Sequence, residues 1–136
     1  MCIRDRATRA AFEDGWLRTG DLAVIDLEGY VTIVDRAKDA IKTGGEIVYS
    51  TEVENVLREH PAVLEVAVFG TADDEWGEVV RAAVVLREGA RVSSEELRAA
   101  CREHLAGYKV PRTVEFLDDL PRTGSGKIAK RVLRER

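Results

Sequence analysis

The run Leu120-Pro-Arg-Thr-Gly-Ser-Gly-Lys-Ile-Ala-Lys130 sets one lysine, Lys127, behind Thr123, Gly124, Ser125 and Gly126. Glycines let a backbone fold closely around a ligand. A lysine ammonium is a compact charge on a flexible stem, suited to a phosphate or carboxylate oxygen. The nucleotide-binding pattern G-x-x-x-x-G-K-[ST] is excluded, because Pro121 stands where its first glycine must turn and Ile128 replaces the hydroxyl that ligates magnesium. Two readings stay open from these residues alone: a loop that offers one cation to an anionic ligand, or a solvated lysine in a flexible loop.

Other reactive side chains point less far. Cys101 and His104 have one-turn helical spacing, but two ligands are too few for a structural zinc, and no metal site is expected. Cys101 reads as a half-buried helical cysteine. Cys2 and Cys101 lie too far apart in sequence for a disulfide framework, so reducing cytosol is the simplest compartment. The C-terminal run carries Lys127, Lys130, Arg131, Arg134 and Arg136 around one acid, Glu135. A solvated helix end, where cations suit the dipole, is preferred over RNA contact, and a formal charge of −4 disfavours a dedicated nucleic-acid binder.

The elements that must position these residues follow from patterning. Leu22–Ile25 and Tyr30–Val34 alternate apolar residues on either side of a turn at Gly29, which predicts a hairpin. "STEVENVLREH" predicts a helix opened by Ser50 or Thr51, with capping-box spacing from Thr51 to Glu54, a stripe of Val53, Val56 and Leu57, and a stop at Pro61. "AVLEVAVFG" and "EVVRAAVVL" read as strands of a sheet covered by helices, with "TADDEWGE" as the loop between them. "VSSEELRAACREHL" predicts a second helix with a Ser93–Glu96 capping box and a face of Leu97, Ala100, Cys101 and Leu105. "RTVEFLDDL" supplies a last strand and "AKRVLRER" a short terminal helix. The expected fold is α+β, a small mixed sheet flanked by helices and preceded by the hairpin, with a boundary near Asp35–Lys38. At 136 residues one core is sustainable, and no apolar run approaches the roughly 20 residues of a membrane span. The opening "MCIRDRATRA" has charges where a signal peptide needs apolar residues.

Taken together, "GWLRTGDL", "DRAKDAIKTGGEIVYSTEVE" and "LPRTGSGKI", in that order, resemble the successive C-terminal motifs of the adenylate-forming superfamily, which includes acyl- and aryl-CoA synthetases, peptide-synthetase adenylation domains and luciferases. The resemblance covers Asp14–Arg134, and "LAGYKVPR" leans it toward the acid–CoA ligases. Residues 1–13 match nothing and are set apart, their native origin open; 14–35 would be the terminal hairpin of a large adenylation domain and 36–136 the C-terminal lid. Ile47 and Ser50 depart from the Asn and Pro that many members carry.

The resemblance implies an enzyme that activates a carboxylic acid, here a fatty acid, with ATP as an acyl-adenylate and then passes the acyl group to CoA. The lid rotates between the two half-reactions. Asp21 would accept hydrogen bonds from the ribose hydroxyls of ATP, with Arg36 beside it, and Lys38 would be the hinge. Lys127 would bridge the substrate carboxylate and the α-phosphate as charge develops, and Lys42 would approach the adenylate in the second conformation. Gly44 and Gly45 match the loop beside the pantetheine channel. Trp76 and Tyr108 match positions that meet the CoA nucleotide, although Tyr108 equally suits packing under its own turn. ATP and CoA are the implied small-molecule partners, with Mg2+ held through the large domain, which is itself the implied protein partner. That domain also carries the acyl pocket, so this stretch alone is expected to be inactive. Two alternatives remain: a carrier-protein phosphopantetheine as acceptor, and a stand-alone lid module without catalysis of its own.

Overall fold

The computed structural model describes residues 5–136. Cys2 lies outside the described residues. Two compact units are present, Met1–Lys38 and Asp39–Arg136.

The first unit begins with α1 (Asp5–Ala11), followed by a minimal hairpin of β1 (Phe12–Glu13) and β2 (Trp16–Leu17). Its turn residues Asp14 and Gly15 both have positive φ, 50° and 83°, the geometry that matches strand twist in a two-residue turn. The hairpin expected from alternation is formed by β3 (Asp21–Ile25) and β4 (Val31–Arg36), antiparallel, with a register shift between Leu22 and Ala23. Asp26 organises its turn: its carboxylate accepts the Glu28 and Tyr30 amides, each at 2.9 Å, an Asx-type turn.

The second unit contains β5 (Ile41–Thr43), β6 (Glu46–Val48), α2 (Ser50–Glu59), β7 (Val63–Asp73), β8 (Gly77–Leu86), α3 (Ser94–His104), a 3-10 turn at Gly107–Lys109, β9 (Thr113–Phe116) and α4 (Lys130–Arg134). β8 is the centre of the sheet. β7 pairs antiparallel along one of its edges, while β5 and β9 share the other, β5 at Gly77 and β9, parallel, from Arg81 to Val84. The parallel pairing needs a long crossover, and α3 provides it. Alternation then sorts the sheet into two cores. Val66, Val68, Val80, Ala82 and Val84 pack with Val53, Leu57, Leu97 and Cys101, while Ala67, Phe69, Ala83 and Val85 pack with Leu120 and Leu133 from the C-terminal segment. The near-continuous apolar runs of β7 and β8 are thus explained by burial on both faces.

The Ser93–Glu96 capping box forms as expected: Ser93 Oγ accepts the Glu96 amide at 3.2 Å and the Glu96 carboxylate accepts the Ser93 amide at 2.7 Å. The first capping box does not. The N-cap of α2 is Tyr49, which makes no side-chain cap bond, so Thr51 lies inside the first turn, and the Glu54 carboxylate is taken by Lys130 and the Val68 amide. The stretch "TADDEWGE" is mostly strand; only residues 74–76 lie between β7 and β8, since the Asp73 carboxylate closes the turn by accepting the Glu75 and Trp76 amides at 3.0 Å. The β5–β6 hairpin went unexpected although "TGGE" has turn chemistry, with Gly44 and Gly45 at φ 57° and 85°. Cys101 is fully buried rather than half-buried.

Candidate active site

In the first unit, Asp21 and Arg36 face each other in register on β3 and β4. Arg36 Nε donates to Asp21 Oδ1 at 3.0 Å and its Nη2 donates to the Thr19 carbonyl at 3.2 Å. Both side chains keep solvent exposure, so the pair adds little stability, about 0–1 kcal/mol. Its effect is to fix where one carboxylate oxygen points. Arg36 and Lys38 line a small cleft of about 260 Å³ with Thr19, Gly20 and Ala37.

The second unit assembles Lys42, Gly44, Gly45 and Trp76. Lys42 sits mid-strand in β5 between buried Ile41 and Thr43, so pleating turns its side chain away from theirs, into solvent. The Gly44 amide donates to the Trp76 carbonyl at 2.9 Å, and a Cβ at Gly44 would lie 2.9 Å from Trp76 Cε3. The missing side chain is therefore what lets the indole lie against the turn. Gly45 has open space around it.

Trp76 and Tyr108 line one cleft of about 490 Å³ with Arg98, Arg102 and Arg112 among its walls. The two aromatics are separated by 32 residues in sequence and meet because β8 and the 3-10 turn flank the same space. The three arginines were not singled out from the sequence; Arg98 and Arg102, four apart on α3, carried the signal. They are held in place: Arg98 donates to the Pro111 carbonyl at 3.0 Å, and Arg98 and Arg102 reach Glu95 at 2.8 and 2.6 Å. The Arg102 bond, above all, holds the Glu95 carboxyl below its ordinary pKa. Tyr108 does not fold under its own turn; it is 45% exposed, with the Lys109 ammonium 5.8 Å from its ring centre.

The Lys127 loop is a closed turn rather than a floppy one. The Thr123 amide donates to the Lys127 carbonyl at 2.7 Å, the Gly126 amide to the Thr123 carbonyl at 2.9 Å, and Arg122 Nη1 to the Gly126 carbonyl at 3.2 Å. Its stem is pinned by an ion pair from Arg122 to Glu65 on β7. Just beyond, Lys130 Nζ reaches Glu54 and Ser50, each at 2.8 Å, and Arg134 reaches Asp39 at 2.9 Å. The basic C-terminal run is therefore largely consumed by internal pairing.

Four lysines lie in this unit: Lys42, Lys109, Lys127 and Lys130. Lys109 pairs with Glu52 at 2.8 Å and Lys130 with Glu54 at 2.8 Å. Among the described residues, Lys42 and Lys127 have no ion-pair partner, and both are exposed. Among the described residues, too, no group of three or more His, Cys, Asp or Glu side chains lies close enough to hold a metal ion.

Comparison with known proteins gives a consistent picture. The family model described as the AMP-binding enzyme C-terminal domain matches residues 52–127. A feruloyl-CoA synthase of Amycolatopsis sp is 51% identical over 133 residues, spanning 98% of this chain and 27% of that protein. A long-chain-fatty-acid–CoA ligase of Mycobacterium tuberculosis is 49% identical over 132 residues, 97% of this chain and 26% of the ligase. Among solved structures, the amide bond synthetase McbA of Marinactinospora thermotolerans superposes with a TM-score of 0.88 at 43% identity, over 98% of this chain and 27% of that one. The chain thus spans about a quarter of the length of the relatives it matches.

Proposed function

The chain belongs to the AMP-binding enzyme C-terminal domain family of adenylate-forming enzymes, and from that premise we propose that it serves as the lid of an ATP-dependent acid–CoA ligase. The reaction has two halves: a carboxylate attacks the α-phosphate of ATP and releases pyrophosphate, and the CoA thiol then attacks the acyl-adenylate and releases AMP. A carboxylate is already a nucleophile, so the first half needs positioning and charge stabilisation rather than a general base.

The observation that carries this reading is the division of the lysines. Lys109 and Lys130 are neutralised by α2, whereas among the described residues Lys42, on β5 just before the Gly44–Gly45 turn, and Lys127, in its glycine loop, have no ion-pair partner. In this proposal Lys127 contacts the carboxylate and α-phosphate during adenylation, and Lys42 meets the adenylate during thioester formation. The Asp21–Arg36 pair presents a fixed acceptor to the ribose hydroxyls, and Lys38, the last residue of the first unit, is the hinge. Gly44 and Gly45 flank the path of the pantetheine.

Trp76 and Tyr108 would hold the CoA adenine, with Arg98, Arg102 and Arg112 toward its phosphates. Glu95 pairs with Arg98 and Arg102 and Asp73 with Arg112, leaving three arginines against two acids, and this excess of positive charge supports free CoA over a carrier-bound phosphopantetheine, which has no nucleotide to place there. The bound acid is a fatty acid or another carboxylic acid of the kinds named for the relatives. The partner is a large N-terminal adenylation domain that supplies the acyl pocket. Support comes from the first unit, where Trp16, Ile25, Leu27 and Ile33 are 66–108% exposed, an apolar surface that asks for cover. No described helix is long and apolar enough to cross a membrane; the setting we propose is the cytoplasm.

The test grafts this chain in place of the corresponding portion of the feruloyl-CoA synthase relative and measures each half-reaction separately. Lys127→Ala should slow adenylation, read as pyrophosphate release, on the order of 10²-fold, and leave thioester formation from supplied acyl-adenylate much less affected. Lys42→Ala should show the reverse. Equal losses in both halves for either variant would defeat the assignment. Turnover with a loaded carrier well above turnover with free CoA would instead support the carrier alternative, which equal turnover excludes, and restoration of activity to a lidless ligase by the separately added chain would support the stand-alone lid.

A further inference from the structure

We propose that Glu78 is a positioning residue for thioester formation, holding Lys42 and its glycine turn in place through the backbone. The inference rests on the role given above to Lys42, and the sequence offered no motif that singles Glu78 out.

Three observations converge. First, the β5–β6 hairpin that carries Lys42, Gly44 and Gly45 is attached to the rest of the sheet through a single strand pair, Thr43 with Gly77. A three-residue strand held at one position has little to fix its register. Second, the Glu78 carboxylate reaches across to this strand, where its Oε2 accepts the Lys42 amide at 2.8 Å. Together with the bond from the Gly44 amide to the Trp76 carbonyl at 2.9 Å, it clamps β5 on both sides of Thr43. Third, β7 makes room for the carboxylate. A Cβ at Gly70 would lie 2.8 Å from Glu78 Oε1 and 3.0 Å from Ile41 Cγ2. The glycine thus keeps open the space that the clamp occupies.

A carboxylate accepting an amide hydrogen bond is stronger than a neutral acceptor, and here the donor belongs to the residue whose ammonium is to meet the adenylate. The clamp also bears on Trp76, because Trp76, Gly77 and Glu78 are consecutive and the indole lies against Gly44. One acidic side chain therefore ties together the lysine, the glycine turn and one aromatic wall of the cleft. Glu78 touches no reacting atom in this scheme; its charge is not consumed, and an amide of the same shape can accept the same bond.

The experiment uses the grafted ligase for kinetics and the isolated chain for amide hydrogen exchange. Glu78→Ala should slow thioester formation from supplied acyl-adenylate about tenfold to a hundredfold, the scale of a displaced catalytic group, with adenylation within about twofold. Glu78→Gln should recover most of the loss. Gly70→Ala, which drives a methyl into the carboxylate while leaving its charge, should reproduce the Glu78→Ala defect. In the isolated chain, exchange at the Lys42 amide should accelerate in Glu78→Ala and stay near wild type in Glu78→Gln. Equal losses in both half-reactions would overturn the inference and leave Glu78 as part of the general scaffold. A normal thioester step in Glu78→Ala, in a graft where Lys42→Ala is impaired, would overturn it while sparing the role of Lys42. A normal thioester step in Lys42→Ala would remove that role and the inference with it.

Discussion

Replacing Lys130 by methionine isolates the contact that fastens the Lys127 segment to the fold. Lys130 and Glu54 side chains are only 15% and 11% exposed, with Nζ 2.8 Å from Oε1 and 2.8 Å from Ser50 Oγ. The same carboxylate oxygen accepts the Val68 amide at 2.9 Å, on the outer edge of β7 where no strand pairs. Removing the ammonium leaves a desolvated carboxylate with one neutral donor. Stranding a fully buried charge costs 3–5 kcal/mol, and the residual exposure here lowers the expectation to about 2–3 kcal/mol. In a unit of roughly a hundred residues this corresponds to a fall in Tm of roughly 10–20 °C. The double variant Glu54→Gln with Lys130→Met strands no charge and keeps an acceptor for the Val68 amide, so it should cost less than about 1 kcal/mol. Urea and thermal unfolding of the purified chain measure both. A single variant within about 0.5 kcal/mol of wild type, or a double variant no more stable than the single, would refute the claim that this pair is a buried, mutually dependent clamp.

Burial pushes the Cys101 thiol up from 9.0 to about 11, so the folded chain holds roughly a hundredfold less Cys101 thiolate at about pH 8 than the unfolded chain. Alkylation mapped by mass spectrometry should spare Cys101 until denaturant is added. Because its folded pKa is raised, this thiol's contribution to stability is complete below about pH 9 and is lost as pH climbs toward about 11. Lys109, raised chiefly by the hydrogen bond it donates to Glu52, acts in the same direction. The urea midpoint should therefore decline on the alkaline side, and a midpoint that rises there would contradict both shifts. Separately, Gly44→Ala meets Trp76 at 2.9 Å with φ at 57°, whereas Gly45→Ala has φ at 85° and open space. Each should lose about 1–2 kcal/mol to backbone strain, but only Gly44→Ala should change Trp76 fluorescence, read in a Trp16→Phe background.

Local patterns in the sequence located the β3–β4 hairpin, both long helices, the central strand pair and the Ser93 cap, because each is specified by neighbours within one turn or one pleat. What escaped was set at long range. "STEVE" has the spacing of a capping box, yet Glu54 is claimed by Lys130, 76 residues away in the chain, and by the bare edge of β7. Nothing near Thr51 could announce that competition. The strand ends around "TADDEWGE" were likewise decided by pairing across β7 and β8 rather than by the polar composition of the stretch. The candidate site shows the same division. The resemblance marked Lys42 and Gly44 and put Trp76 and Tyr108 at one nucleotide, but it had no means of adding three arginines to the walls of their cleft or of picking out Glu78.

The lysines show how a fold resolves what composition leaves degenerate. By side chain alone, Lys42, Lys109, Lys127 and Lys130 are equivalent cations. They are sorted by Glu52 and Glu54, two positions on α2 whose carboxylates reach the 3-10 turn and the start of α4 respectively. Each captured lysine lies close in sequence to a residue proposed to meet ligand: Lys109 directly follows Tyr108, and Lys130 comes three residues after Lys127. Pairing therefore does two things at once. It removes two cations from competition for an anionic substrate, and it anchors the segments that present the groups left over. An exposed, unpaired lysine costs a protein almost nothing and proves little by itself. An unpaired lysine on a turn closed by its own backbone bonds, with its nearest lysine neighbour locked to a helix, is a charge whose position is defined, which is the condition for acting on a developing negative charge.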